Sequence, residues 1–200
     1  MRKNELEESR YFNEIITKGE IGHLGMMDSK GFPRIIPLNY VYTNDVIYFH
    51  GALEGEKFEL SQSKPKVAFS VNINYSILPS YWMSQHNACP ASILYKSVQM
   101  RGTIEIINDT DEKAFALQAL MEKYQPEGKH KPITSLEPIY KKEIERTGIF
   151  KITPIETDTK VQLAQTKSET KRKELIKLLN ERNQGVDKET AQEIAKTLNQ

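Results

Sequence analysis

Ile35-Ile36-Pro37-Leu38-Asn39-Tyr40-Val41-Tyr42, followed after Thr43-Asn44-Asp45 by Val46-Ile47-Tyr48-Phe49-His50-Gly51-Ala52-Leu53-Glu54-Gly55-Glu56-Lys57, decides the fold. The two apolar runs read as strands joined by a short turn, and the second passes through a glycine to a lysine at the start of a helix. Backbone N–H groups at a helix N-terminus favour an anion, and Lys57 adds a full positive charge there. A phosphate site is the first expectation, with the adjoining apolar strand as a bed for the flat ring of a phosphorylated cofactor.

The flanking sequence extends this pattern on both sides. Glu5 to Ile16 predicts a helix with Leu6, Phe12, Ile15 and Ile16 inward, stopped by Lys18-Gly19. Ile21 to Met27 is the preceding strand, and Asp28-Ser29-Lys30-Gly31 turns it into the strand that runs through Tyr42. Glu54 to Gln62 is a short helix and Lys66 to Asn72 a further strand. Ile73 to Ser92 reads as a long loop carrying Trp82, His86 and Cys89.

From Tyr95 to Ile107, Val98, Met100, Gly102, Ile104 and Ile106 alternate with polar residues, the mark of a strand with one buried face. Asp109-Thr110-Asp111-Glu112 caps a helix whose Ala114, Leu117, Leu120, Met121 and Tyr124 share one side. Leu136 to Glu145 is helical after a pause at Pro138, and Thr147 to Ile155 closes the series. Several antiparallel strands with helices inserted between them predict an α+β protein built on a small barrel rather than a doubly wound parallel sheet.

All seventeen aromatic residues lie at or before Phe150, and the remainder is rich in Lys, Glu, Gln and Thr. Such a tail is poorly equipped to build its own core. The expected boundary therefore falls near Thr157, with residues 1–157 as the barrel domain and 158–200 as a charged extension of two helices, Ser168 to Arg182 and Asp187 to Leu198. Asp187 is the expected cap of the second.

Composition narrows the function classes. Twenty-eight basic and 27 acidic side chains leave a formal charge of +1, so bulk electrostatics gives no reason to expect nucleic acid or an anionic membrane as partner. The basic run at Lys167, Lys171, Arg172, Lys173 and Lys177 is nearly balanced by nearby acids and reads as a solvated helix face. No apolar run approaches the roughly 18 residues of a membrane span, and Cys89 is the single cysteine, so a cytoplasmic protein is expected. With one cysteine and scattered histidines, a structural zinc site is disfavoured.

Gly22-His23-Leu24-Gly25-Met26-Met27, Pro37-Leu38-Asn39-Tyr40, Tyr48-Phe49-His50-Gly51-Ala52 with Gly55 and Lys57, Pro65-Lys66-Val67, and Tyr95-Lys96-Ser97-Val98 stand in an order that resembles the pyridoxamine 5'-phosphate oxidase-related split-barrel flavoproteins. The resemblance is to the 5-nitroimidazole-resistance (Nim) branch in particular, and Met121 to Gly128 and Thr147 to Ile152 share it. It covers about Phe12 to Ile155. It implies a six-stranded split β-barrel that forms a homodimer, with FMN in clefts at the interface. Position by position, Lys57 would hold the FMN phosphate, helped by Lys96 and Ser97 of the motif that ends in Val98. Pro37, Leu38 and Asn39 would line the isoalloxazine ring, and His50 would sit near the ring or ribityl chain as the candidate catalytic residue. Past Thr157 the chain departs from the Nim pattern, and its short Val161 to Gln165 stretch is reminiscent of the tail of PaiB-like FMN-binding regulators.

The expected work is two-electron reduction of a small oxidised organic molecule such as a nitroaromatic or quinone. The dinucleotide glycine fingerprint is missing, so a nicotinamide donor would bind only transiently over the flavin. The alternative is a non-catalytic FMN-binding regulatory or sensor protein. For Lys57 the bland reading is a solvated helix lysine, for His50 a hairpin cap, and for Trp82 and Tyr81 ordinary loop packing rather than a cover for the cleft.

Overall fold

The apolar stretch expected to be one strand breaks at Asn39-Tyr40 into β2 (Pro33–Leu38) and β3 (Val41–Thr43), which pair with different neighbours. The computed structural model describes residues 3–199, with side chains described over 11–198. The other strands are β1 (Gly22–Met27), β4 (Val46–Gly51), β5 (Lys66–Leu78), β6 (Ser92–Ile107) and β7 (Gly148–Gln162). They form one seven-stranded sheet in the order β2-β1-β5-β6-β7-β4-β3, so the expected count of six is corrected by the break. β1 pairs antiparallel with β2 and β5, and β4 antiparallel with β3 and β7.

This hydrogen-bonded order is open. Its two end strands, however, are consecutive in the chain, and three residue steps separate Leu38 from Val41. At no more than about 3.6 Å per step, those ends lie within about 11 Å of each other. The sheet must therefore curl until its edges approach. Tyr40 pins the junction: its hydroxyl donates to the Ile16 carbonyl at 2.9 Å, and its buried ring meets Phe69 edge-on at 5.0 Å.

Turn chemistry explains the hairpins. Asn44 and Asp45 both take left-handed backbone (φ 51° and 61°), giving the two-residue loop that suits strand twist between Thr43 and Val46. In the β1–β2 turn the Asp28 carboxylate accepts from the N–H groups of Lys30 and Phe32, both at 2.8 Å. Gly102 lies where β6 and β7 approach so closely that any Cβ would overlap the Thr153 carbonyl.

The helices are α1 (Lys3–Lys18), α2 (Glu56–Ser61), α3 (Thr110–Tyr124), α4 (Lys141–Arg146), α5 (Glu169–Arg182) and α6 (Asp187–Lys196). The Asp109 side chain caps α3 by accepting from Glu112 N–H at 2.7 Å. Ile15 and Ile16 of α1 are buried as expected, whereas the Leu6 side chain lies outside the described residues.

The chain separates into two compact units, and three strands contribute residues to both. One unit comprises residues 16–71 and 98–158. Its core includes Leu24, Phe69, Phe49, Val98, Met100, Ile104 and Phe150, and α3 packs on Val41, Tyr48 and Ile149 through Ala116 and Leu120. The other comprises residues 1–15, 72–97 and 159–200.

In this second unit the structure revises three expectations. The predicted loop from Ile73 begins as strand, because β5 runs on to Leu78 with Tyr75 and Leu78 buried. The closing strand, expected to end at Ile155, continues to Gln162. The tail helices then find their core by borrowing: Leu175, Leu179, Ala191 and Ile194 pack with Tyr75, Leu78 and Leu94. Val186, not Asp187, is the cap of α6. The buried Asp187 carboxylate instead accepts from Ser76 Oγ at 2.5 Å and from Arg182 at 2.6 and 2.8 Å, which holds its acidity well below the usual carboxylate range.

Candidate functional site

Lys57 sits in the first turn of α2, two residues after Gly55, whose φ of +84° only glycine adopts readily. The chain leaves β4 at Gly51 and must reverse sharply to start this helix. Because Gly51 has no side chain, the lysine amine settles directly against it; a Cβ there would overlap the Lys57 ammonium. The amine stands 5.2 Å from the Phe49 ring centroid and 5.0 Å from that of Phe150, two rings stacked 4.9 Å apart at 4°. An ammonium over aromatic faces is stabilised as a cation, yet its loss of water pushes the pKa down. Among the described residues no carboxylate pairs with it.

α2 has only six residues, so its dipole is a weaker source of positive potential than the sequence suggests. Gly55 offers no side-chain cap, and Glu56 and Glu59 stand in the first turn. Glu56 is drawn aside by Arg34 of β2 at 3.0 Å. Arg34 was not expected at the site. The signal was available in its place on the strand three residues before Pro37, but a solitary arginine on an exposed strand looks like any surface charge.

His50 ends β4 next to this corner. Desolvation first, and the nearby Lys57 charge second, lower its pKa and so favour the neutral imidazole. Pro37 and Leu38 close β2, opposite His23 and Gly22 of β1. Leu38 is half-buried and Pro37 and Asn39 are exposed, as is most of β2: Pro33, Arg34 and Ile35 face solvent one after another. A strand open on both faces is unusual for such an apolar sequence. Beside it, Met27, Ile35 and Ile155, each more than half exposed, rim a largely apolar groove of about 500 Å³ floored by Gly25, Ala68 and Gly102.

The expected help from Lys96 is not what the structure gives that residue. Lys96 belongs to the second unit and is fully buried, its ammonium 2.8 Å from Glu14 and 2.5 Å from Glu193. Its parity with Leu94, Val98 and Met100 on β6 puts it on the inward face, which is the physical reason it needs carboxylates rather than a ligand. Ser97 is 8% exposed and Val98 fully buried. Lys57 and His50 thus come together, Pro37 to Asn39 lie along β2 from Arg34, and Lys96 is engaged elsewhere. Trp82 packs in the tail-helix core with the Arg182 guanidinium 4.6 Å from its ring, and Tyr81 is exposed. Among the described residues no cluster of three His, Cys, Asp or Glu could hold a metal, and no helix is long and apolar enough to cross a membrane.

Comparison with known proteins places the chain in a family. Residues 8–161 match the family model described as pyridoxamine 5'-phosphate oxidase. Among solved structures, a candidate 5-nitroimidazole antibiotic resistance protein from Bacteroides thetaiotaomicron is similar at 25% identity, covering 76% of this chain and 82% of its own, with a TM-score of 0.61. The flavocytochrome Anf3 from Azotobacter vinelandii is 22% identical over 81% of this chain and 72% of its own (TM-score 0.65). A FAD- and haem-binding protein from Mycobacterium smegmatis is 16% identical over 80% and 71% (TM-score 0.61). Those last two share the fold. No curated protein matches the sequence significantly.

Proposed function

The chain belongs to the pyridoxamine 5'-phosphate oxidase family, and on that premise we propose that it is an FMN-binding reductase of small oxidised organic molecules. The observation that carries the reading is Lys57: a half-dehydrated ammonium, seated over two phenylalanine rings, with no carboxylate to neutralise it among the described residues. A cation kept in that state has lost water without gaining a partner, and a phosphate is the group that would restore the balance.

The residues present fit FMN. Lys57 would take the phosphate with Arg34 as a second cation nearby. Pro37, Leu38 and Asn39 would bed the ring, about 10 Å along β2 from Arg34 at 3.3 Å per residue, so anchor and platform are separated as an elongated ligand requires. Bound FMN supplies the two-electron redox chemistry. His50, whose pKa is lowered by burial and by Lys57, would accept or donate a proton beside the ring or the substrate. Lys96, Ser97 and Val98 are left out of this assignment, since the first is consumed by Glu14 and Glu193 and the others are buried.

The exposed β2 edge and the apolar groove at its side support a homodimer with the cofactor at the interface. Burying Ile35, Met27 and Ile155 would each contribute about 1.5–3 kcal/mol if burial were complete. Similarity to the candidate nitroimidazole resistance protein favours a nitroaromatic or quinone as substrate, and NAD(P)H would act as a transient donor. The lone exposed Cys89 suits a reducing, cytoplasmic setting.

An absorbance spectrum of the purified protein tests the assignment. The expected result is a flavin spectrum that NADH or NADPH bleaches anaerobically and a nitroaromatic restores. A protein that binds FMN but is not reduced would be a sensor. One that ignores FMN, or shows a haem Soret band instead, would overturn the cofactor assignment.

A further inference from the structure

A pocket of about 460 Å³, a volume in the range of small-molecule sites, lies wholly within the unit that contains the tail helices. Its floor is apolar. Leu78 and Leu94 are buried in the core that α5 and α6 complete, and Met83, Val161 and Ala164 are half-buried against that core. The turn after β7 forms one wall and is braced by its own side chains. Gln162 Nε2 donates to Ser92 Oγ at 2.9 Å, while Gln165 accepts from Leu163 N–H at 2.7 Å and donates to the Val161 carbonyl at 2.6 Å. Ala164 takes left-handed backbone (φ 59°), and its carbonyl accepts from Lys167 N–H at 2.9 Å.

The charge around this pocket is of one sign. Residues 78–95 and 159–168, which build it, hold no aspartate or glutamate, although 27 acids in 200 residues would place about four in that length. Lys160 and Lys167 line it. Of the seven lysines from residue 159 onward, Lys171, Lys173, Lys177 and Lys196 pair with glutamates. Among the described residues Lys160 and Lys167 have no carboxylate partner, and Lys160 has only the Tyr95 ring, 5.5 Å from its Nζ.

From this arrangement we propose that the pocket binds a small amphipathic organic acid, with Lys160 and Lys167 meeting its carboxylate and the floor receiving its apolar body. An inorganic anion would leave the exposed parts of Met83 and Val161 in water, whereas an alkyl or aryl body covers them, which is favourable in proportion to the apolar area removed. A neutral apolar molecule would leave two cations on one pocket uncompensated. Because the turn is already hydrogen-bonded, little ordering opposes binding. None of these residues belongs to the unit that carries Lys57, so the inference is independent of the flavin assignment.

The test is alkylation of Cys89, the single cysteine of the chain and a lining residue of the pocket, by iodoacetamide, read by mass spectrometry on the full chain. Octanoate is expected to slow the alkylation, octanol at equal concentration to slow it less, and acetate to leave it unchanged. Lys160→Gln combined with Lys167→Gln should raise the half-protecting octanoate concentration about fivefold, since exposed ion pairs are individually weak, and leave that of octanol as it was. Protection of the wild-type protein by octanoate should also weaken between about 0.05 and 0.5 M NaCl, while protection by octanol should not. No protection by octanoate would overturn the site. Equal protection by octanol, or an octanoate effect indifferent to the double substitution, would overturn the anionic half of the assignment. FMN affinity should be the same with and without the two lysines, and a matching loss would mean that they serve the flavin instead. Should the double variant not fold, the salt dependence of the wild-type protein decides alone.

Discussion

Lys57→Met separates a phosphate contact from everything else a cofactor gains here. Methionine keeps an unbranched stem on Phe49 and Phe150 and adds a favourable sulfur–ring contact, so the fold should be as stable or slightly more so once a partly dehydrated charge is gone. A hydrogen bond between ionised partners contributes about 1.5–3 kcal/mol. The upper half of that range applies, because the amine has already lost water in the free protein and little further desolvation opposes binding. The expected loss of FMN affinity is about 50- to 150-fold. Riboflavin, which carries the same ring and ribityl chain without the phosphate, should bind wild type and variant within about twofold. Titration by quenching of flavin fluorescence measures both. Wild-type affinity for FMN should also fall below about pH 6, where the phosphate takes up its second proton, and the variant should lack that dependence. Equal losses for FMN and riboflavin, or none for either, would refute the placement of the phosphate.

Three further outcomes follow from the same contacts. Lys96→Met should strip Glu14 and Glu193 of their shared cation and cost about 3–5 kcal/mol in urea unfolding, while leaving the FMN affinity of the folded protein unchanged. Asp187→Asn should destabilise by about 2–4 kcal/mol at pH 7. Since the folded-state pKa of Asp187 is depressed, its contribution is complete above the unfolded value near pH 4 and fades as pH falls toward the folded one, so wild type and variant should converge in acid. Ile35→Asp on the exposed strand should yield a monomer by light scattering and weaken FMN binding with it; a monomer that binds FMN like wild type would place the cofactor away from the interface.

Local chemistry made much of the fold legible. The Asp109 cap, the Asn44-Asp45 turn and the alternation of β6 each act within a few residues, and each stands where the sequence puts it. Long-range partners were harder to read. Asn39-Tyr40 looks like the middle of a strand because nothing local marks the change of neighbour from β1 to β4. β5 runs past Asn72 because Tyr75 and Leu78 are buried by helices about a hundred residues later. Lys57 stands in the glycine-to-helix setting that the sequence predicts, whereas Arg34 is brought to α2 only through its pair with Glu56. Lys96 misled despite a warning in the sequence: it shares the parity of Val98, the inward face.

Three lysines show how the chain sorts its cations. An ammonium taken out of water must be neutralised, paired or left with a depressed pKa. Deep inside β6, Lys96 receives two carboxylates, and Glu193 for this purpose comes from the far end of the chain. Lys57 and Lys123 receive aromatic faces instead, and both have pKa values lowered by desolvation. An aromatic face holds a cation in position without cancelling its charge, which a carboxylate would do. Among the described residues a carboxylate is a common enough partner: Lys64, Lys131, Lys151 and Lys173 all have one. Partly dehydrated lysines without one, Lys57 and Lys123 among them, are therefore where a ligand has the most to contribute, and perturbed groups concentrate at functional sites. Lys57 stands near His50, where the proposed phosphate would bind, and Lys123 lines a pocket with Asn39.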